Sequence, residues 1–301
     1  MKLLLAALWL TGFGPAGGVG PVRPPAAAGP VQGVAAVEFG YPDGVALARD
    51  GSLYVVDTDN TALRRVSPSG EVSTVLAEGL VYPTAVALAP DGTLYVADAG
   101  SHAVWRLGTT GKAPEKLTGK GLTHPSALAV DAAGNLYVAD AAPTDEGSVQ
   151  KITPSGSSEV VASHLHKPTG LAIAADGTLY VAEGATGTIQ KITRTGSSSV
   201  SLAAYALEQP HGLALGTDGT LYIADTYHNR ILTLSATGEA AQLADGFSFP
   251  SGVAVDAAGT VYVSDTGHGT VKKVSHAGAV SAIASPDAKA SNEPAALVAK
   301  P

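Results

Sequence analysis

Chemistry in this chain falls to histidine, carboxylate and hydroxyl groups, because its 301 residues contain no cysteine. That absence excludes disulfides, thiol catalysis and thiolate metal sites. The densest collection of reactive side chains is His211, Tyr227, His228, Asn229 and Arg230. His211 stands directly after a proline, and the same place after five other prolines holds Asp43, Thr84, Ser126, Thr169 and Ser251. A histidine there could serve as a base or as one ligand of a metal. A catalytic zinc needs at least three protein ligands and an open position. One histidine in six equivalent places does not supply them, so no metal and no cofactor is expected. The residues before the prolines, Tyr41, Tyr82, His124, Lys167, Gln209 and Phe249, mix aromatic and polar types, which suits a small-molecule or peptide site.

The elements that position these residues come from a repeat. Pro42, Pro83, Pro125, Pro168, Pro210 and Pro250 follow one another at steps of 41, 42, 43, 42 and 40 residues. A turn glycine keeps that register (Gly51, Gly92, Gly134, Gly177, Gly219, Gly259), and so does a tyrosine (Tyr54, Tyr95, Tyr137, Tyr180, Tyr222, Tyr262). In the unit that starts at Pro210, Gly212 to Leu215 reads as a first strand, then Asp218-Gly219 as a tight turn. Leu221 to Ala224 and Arg230 to Leu234 follow as second and third strands, and a fourth comes after Gly238. The inner strands are apolar on both faces, so each sheet must be covered twice, and copies of itself are the available cover. Repeats of this period and content predict an all-β protein, a six-bladed β-propeller of four-stranded antiparallel blades.

Alternation sets Tyr222 and its equivalents opposite Leu221 and Ile223, as spacers between blades. The acid that closes each second strand, Asp57, Asp98, Asp140, Glu183, Asp225 or Asp265, is expected to accept bonds from backbone N–H groups two residues on and so set the following turn. In a propeller, the segment before each first strand and the loop between second and third strands reach the same end of the channel. The candidate ligand-binding residues at that mouth are therefore His211, Tyr227, His228, Arg230, His268, His124, Tyr41, Tyr82 and Phe249. The loop from Ala141 to Gly147, with Asp145 and Glu146, is the longest at this end and a further contact device.

A formal net charge of -8, from 18 basic and 26 acidic residues, with no basic run, argues against a nucleic-acid or anionic-membrane partner. Residues 1–28 read as a signal peptide (one Lys, then the apolar run Leu3 to Leu10) and a Gly/Pro/Ala linker, which predicts a periplasmic or secreted protein. No membrane span remains after signal removal, and a monomer is expected. The propeller is assigned to 29–285 and a disordered tail to 286–301. Gly29 to Pro42 has the same 13-residue spacing as Gly70 to Pro83, so the N-terminal segment reads as a spare fourth strand that closes the ring beside the last blade.

The pattern P-x-G-[LV]-A-[LV], then D-G-x-L-Y-[VI]-A-D, then N-R-I, as in Pro210 to Asp225 and Asn229 to Ile231, resembles the NHL repeat of six-bladed propellers. The resemblance runs from about Gly29 to Ala284 and implies the fold; its members include exported bacterial sensor domains, protein-binding modules and a few lyases. The peptide-amidating lyases of this propeller class bind zinc through three histidines, each after the proline of an alternate blade, and His211 alone occupies such a place. Virginiamycin B lyase, a related seven-bladed propeller, uses histidines from two such motifs, and again one is present. Neither activity is therefore expected to carry over. The expectation is a non-catalytic exported propeller that binds a protein, peptide or small-molecule ligand at the channel mouth. The alternative is a metal-assisted lyase or lactone hydrolase centred on His211.

Overall fold

The computed structural model describes residues 39–109, 113–117, 121–142, 146–193, 195–200, 202, 205–283 and the backbone of 291–294. Six antiparallel sheets of four consecutive strands span 42–76, 83–117, 125–165, 168–199, 210–244 and 250–282, here blades one to six. Each first strand is innermost and each fourth outermost. Apart from two short 3-10 turns, Thr226–His228 and Thr266–His268, no helix occurs among the described residues.

The hairpins follow from local chemistry. Gly219 takes a φ of 81°, open to glycine at no steric cost, and Asp218 Oδ1 accepts the Thr220 N–H at 3.0 Å. The same Asp-turn bond recurs from Asp50 to Ser52 and from Asp91 to Thr93. Beyond the turn, strand Leu221–Asp225 is buried throughout and splits its side chains by alternation. Leu221 and Ile223 pack with Ala182 and Ile189 of blade four, whereas Tyr222 and Ala224 pack with Val253 and Val263 of blade six. The core thus lies between blades rather than at one centre, in six clusters. One of these joins Ala254 and Val271 of blade six to Val45, Leu53 and Val55 of blade one, which closes the ring. Burial of each such Val, Leu or Ile contributes about 1.5–3 kcal/mol.

Around the axis the inner strands nearly touch. A Cβ on Gly212 would stand 2.2 Å from the Ser251 carbonyl oxygen, and one on Gly252 2.2 Å from that of Asp43. The glycine of the P-x-G motif is therefore set by backbone approach, not by a turn.

One expectation is corrected. The acids closing the second strands do not bond two residues on; they reach back across the blade. Asp57 accepts from Gly40 N, Asp98 from Tyr82 N, Glu183 from His166 N, Asp225 from Glu208 N and Asp265 from Ser248 N. They fasten the segment that leads into each first strand, because that segment presents free amides beside a buried carboxylate. The outer place of blade six is filled by Val280–Ala282, while the N-terminal closing strand falls largely on 1–38, outside the described residues. Where the description begins, Phe39 N donates to the Gly269 carbonyl of blade six at 2.8 Å. Within the tail read as disordered, Ser291–Pro294 runs parallel to the outer strand Val72–Leu76 of blade one.

Candidate functional site

The residue after each proline points to the axis, and four of the six do structural duty. Thr84 Oγ1 donates to the Pro125 carbonyl (2.9 Å), Ser126 Oγ to Pro168 (2.7 Å), Thr169 Oγ1 to Pro210 (2.6 Å) and Ser251 Oγ to Pro42 (3.3 Å). Each hydroxyl ties its blade to the next around the ring. Thr84, Ser126 and Thr169 thus spend their protons on the ring, whereas Ser251 Oγ also lies 2.6 Å from Thr266 Oγ1.

Blades one and five break this rule. Their axial residues are Asp43 and His211, which carry no hydroxyl, yet the neighbouring carbonyls keep a donor. Thr58 Oγ1 reaches Pro83 O at 2.9 Å, and Thr226 Oγ1 reaches Pro250 O at 2.8 Å. Both threonines follow the acid that closes the second strand, a place held in blades two, three and four by Ala99, Ala141 and Gly184. Thr58 and Thr226 thereby take over the ring bond and release Asp43 and His211 from it. Blade six has both devices, Ser251 and Thr266, on the same Pro42 carbonyl.

The released pair meet. His211 extends past the small Ser251 of blade six to place Nδ1 3.8 Å from Asp43 Oδ1, with side-chain exposures of 31% and 11%. Burial pushes the Asp43 carboxyl above the usual carboxylate range; the nearby His211 and the Ser251 hydroxyl oppose that rise. With Nδ1 turned to Asp43, Nε2 is the imidazole nitrogen left for a ligand.

Above the pair opens a cavity of about 540 Å³, within the size range of small-molecule pockets. It includes all six residues that precede the prolines, together with Tyr227. Below, the axial channel narrows to a space of about 60 Å³. Tyr41 and Tyr82 have phenols raised first by burial and then by Asp43, so both hydroxyls stay protonated as donors. Lys167, Gln209 and Phe249 hold left-handed backbones, with φ of 53°, 47° and 50°. Glycine would take that conformation without strain, yet the chain retains side chains there.

Of the nine residues proposed from the sequence, Tyr41, Tyr82, His124, His211, Tyr227 and Phe249 line this cavity, whereas His228, Arg230 and His268 do not. Those three serve buried carboxylates. Asp225 takes His228 Nδ1 at 2.9 Å and Arg230 Nε at 2.7 Å, and Asp265 takes His268 Nδ1 at 2.8 Å. Both acids are wholly buried, and a buried charge requires partners. The Arg230 guanidinium lies 5.2 Å from the ring of Tyr205, away from the mouth. Of the 141–147 loop, Ala141 and Ala142 reach the cavity, and 143–145 are outside the described residues. The sequence reading does not single out Asp43, although an acid in a ring of hydroxyls, with threonine after the second-strand acid in the same blade, was a visible signal. Among the described residues no three His, Asp or Glu converge as a ligand set.

Fold and site together define a six-bladed β-propeller with a ligand-sized dish at one end of its axis, floored by a His–Asp pair. The sequence matches the profile of the virginiamycin B lyase family over residues 7–225 and, in a second overlapping placement, over 76–301. The chain belongs to that family. Two overlapping placements are what near-equivalent repeats allow. No protein of curated function gives a significant match. Among solved structures, virginiamycin B lyase from Staphylococcus aureus is 14% identical with a TM-score of 0.63, covering 81% of this chain and 86% of that one. A catalytically inactive histidine-to-alanine form of that enzyme with quinupristin is 15% identical, with a TM-score of 0.62 and coverages of 80% and 83%. A putative gluconolactonase is 16% identical, with a TM-score of 0.66 and coverages of 80% and 90%. At such identities the likeness is one of fold. The family carries an enzyme's name, and nothing in these comparisons supports the expectation of a non-catalytic binder.

Proposed function

We propose that this protein is a lyase or lactone hydrolase acting on a small molecule in the mouth cavity, with His211 as general base and Asp43 as the group that orients it. The observation that carries the reading is the transfer of ring bonds to Thr58 and Thr226, which leaves these two axial residues free and 3.8 Å apart. A histidine backed by a carboxylate is the commonest proton-transfer unit, and its ring can accept a proton while the carboxylate stabilises the cation formed.

Two reactions begin with that transfer. In elimination, His211 takes a proton from carbon beside a carbonyl, the C–H electrons become a C=C bond, and a β C–O bond breaks with its electrons leaving on oxygen. In hydrolysis, His211 takes a proton from water as its oxygen adds to the lactone carbonyl, and the ring oxygen departs and is protonated. His211 and Asp43 make two candidate metal ligands, fewer than a catalytic zinc requires, so acid–base chemistry is the simpler role. The relatives named as virginiamycin B lyase and putative gluconolactonase support a lyase or lactone-opening reaction, and the structure with quinupristin supports small-molecule binding at such a propeller. The repeat pattern supports NHL-type blades, and the N-terminal segment supports export to the periplasm or medium.

The test is turnover of a panel of lactones and β-acyloxy esters in H₂¹⁸O, followed by mass spectrometry. Incorporation of label marks hydrolysis; an unsaturated, unlabelled product marks elimination. His211→Gln should lower kcat/KM by about 10²–10⁴, the usual range for a general base. Unchanged turnover in both His211→Gln and Asp43→Asn would falsify the assignment.

A further inference from the structure

Taken around the ring, the residues before the prolines form two arcs. Blades six, one and two contribute Phe249, Tyr41 and Tyr82; blades three, four and five contribute His124, Lys167 and Gln209. Tyr227 extends the aromatic arc, its ring edge-on to Phe249 with centroids 5.5 Å apart. Among the described residues, four of the six large apolar side chains that stand exposed are these aromatics. Such surface is costly to leave bare in one place and marks a contact for apolar matter. Opposite stands Lys167, exposed, with no acid paired to its ammonium among the described residues, and Gln209 lines the same cavity from the next blade. A lone cation at the cavity wall of a protein with net charge -8 is a charge awaiting an anion rather than part of a general field.

We propose that the mouth recognises a small carboxylate that bears an aromatic ring, with the ring on the Phe249–Tyr41–Tyr82 arc and the carboxylate on Lys167 and Gln209. This rests on the reading of the same site as the place of reaction, and it adds the substrate's chemical class. A molecule held at both ends spans the floor where His211 and Asp43 lie, which sets its central bonds over the imidazole. The aromatic arc supplies apolar and edge-to-face contact; the ammonium supplies a charge-assisted bond that an amide or ester in place of the carboxylate cannot reproduce.

The probes are 3-phenylpropionate, 3-phenylpropanamide and propionate, titrated against the full chain by ligand-observed NMR. The acid should bind about five- to tenfold more tightly than the amide, and propionate more weakly than either. Lys167→Gln should abolish the preference for acid over amide, whereas Phe249→Ala should weaken both ring-bearing probes alike. Equal binding of acid and amide to the wild type, or an acid preference that survives Lys167→Gln, overturns the proposal. Titrating His211→Gln separates the two readings. Lys167-dependent binding that persists there, when the wild type itself turns over no ester of the panel, keeps the recognition and removes the chemistry. His211-dependent turnover with no preference for acidic substrates removes the recognition and keeps the chemistry.

Discussion

Exchange of a ring bond between two side chains of one blade can be measured directly. Thr226 Oγ1 donates to the buried Pro250 carbonyl at 2.8 Å, and the residue that holds this post in four other blades is here His211. Thr226→Val keeps the side-chain shape and deletes the hydroxyl, so the carbonyl loses its donor. A buried polar group left unsatisfied costs about 1–3 kcal/mol. For a propeller of this length that corresponds to a fall in Tm of roughly 2–12 °C. In a His211→Ser background the geometry predicts rescue, since Ser126 Oγ in the equivalent place reaches its carbonyl at 2.7 Å. The serine would assume the bond, and Thr226→Val would then cost only about 0.5 kcal/mol or less, giving a coupling of about 1–2 kcal/mol. Urea unfolding of the wild type, both single variants and the double variant measures it. Additive effects, with Thr226→Val costing the same in both backgrounds, would refute the idea that Thr226 relieves His211 of a structural task.

Other outcomes follow from the same geometry. Burial raises the Asp43 carboxyl above its unfolded value, so its contribution to stability is full below the ordinary carboxylate range and is lost as pH rises through the raised folded value. Asp43→Asn should therefore stabilise the fold at pH 7 while lowering turnover, and the gain in stability should vanish at low pH; thermal melts across pH and the variant's kcat/KM test these statements. Gly212→Ala meets the Ser251 carbonyl at 2.2 Å and should prevent a soluble fold, whereas Gly238→Ala, with open space around it and a φ of 91°, should cost only about 1–2 kcal/mol in urea melts.

The fold was legible because every blade repeats the signals that build it: the turn Asp-Gly pair, the alternating Leu-Tyr-Ile-Ala strand and the P-x-G glycine all lie within one unit. What spacing alone does not reveal is which distant segments become neighbours. The second-strand acids illustrate this, since their partners are amides 16 or 17 residues back at the start of the blade, while the bond two residues on belongs to the turn aspartates such as Asp218. The mouth was legible where a residue flanks a proline, whose fixed φ sets the direction of the chain. It was not legible for His228, Arg230 and His268, because loop position does not say that a buried carboxylate will claim them. The approach of His211 to Asp43 across an intervening blade belongs to the closed circle and is written in neither unit.

The four antiparallel strands of each blade are drawn from one run of chain, with Ser291–Pro294 added in parallel at the outer edge of blade one, and among the described residues blades six and one share no strand in their antiparallel cores. The place where the polypeptide begins is thus incidental to the finished circle. A version permuted to start at Gly121 and finish at Lys120, with the former ends bridged by a flexible linker, would assemble the same dish with the same six walls. Only the interface that forms last would change, which makes the site a property of the closed ring and not of the order in which its parts are made.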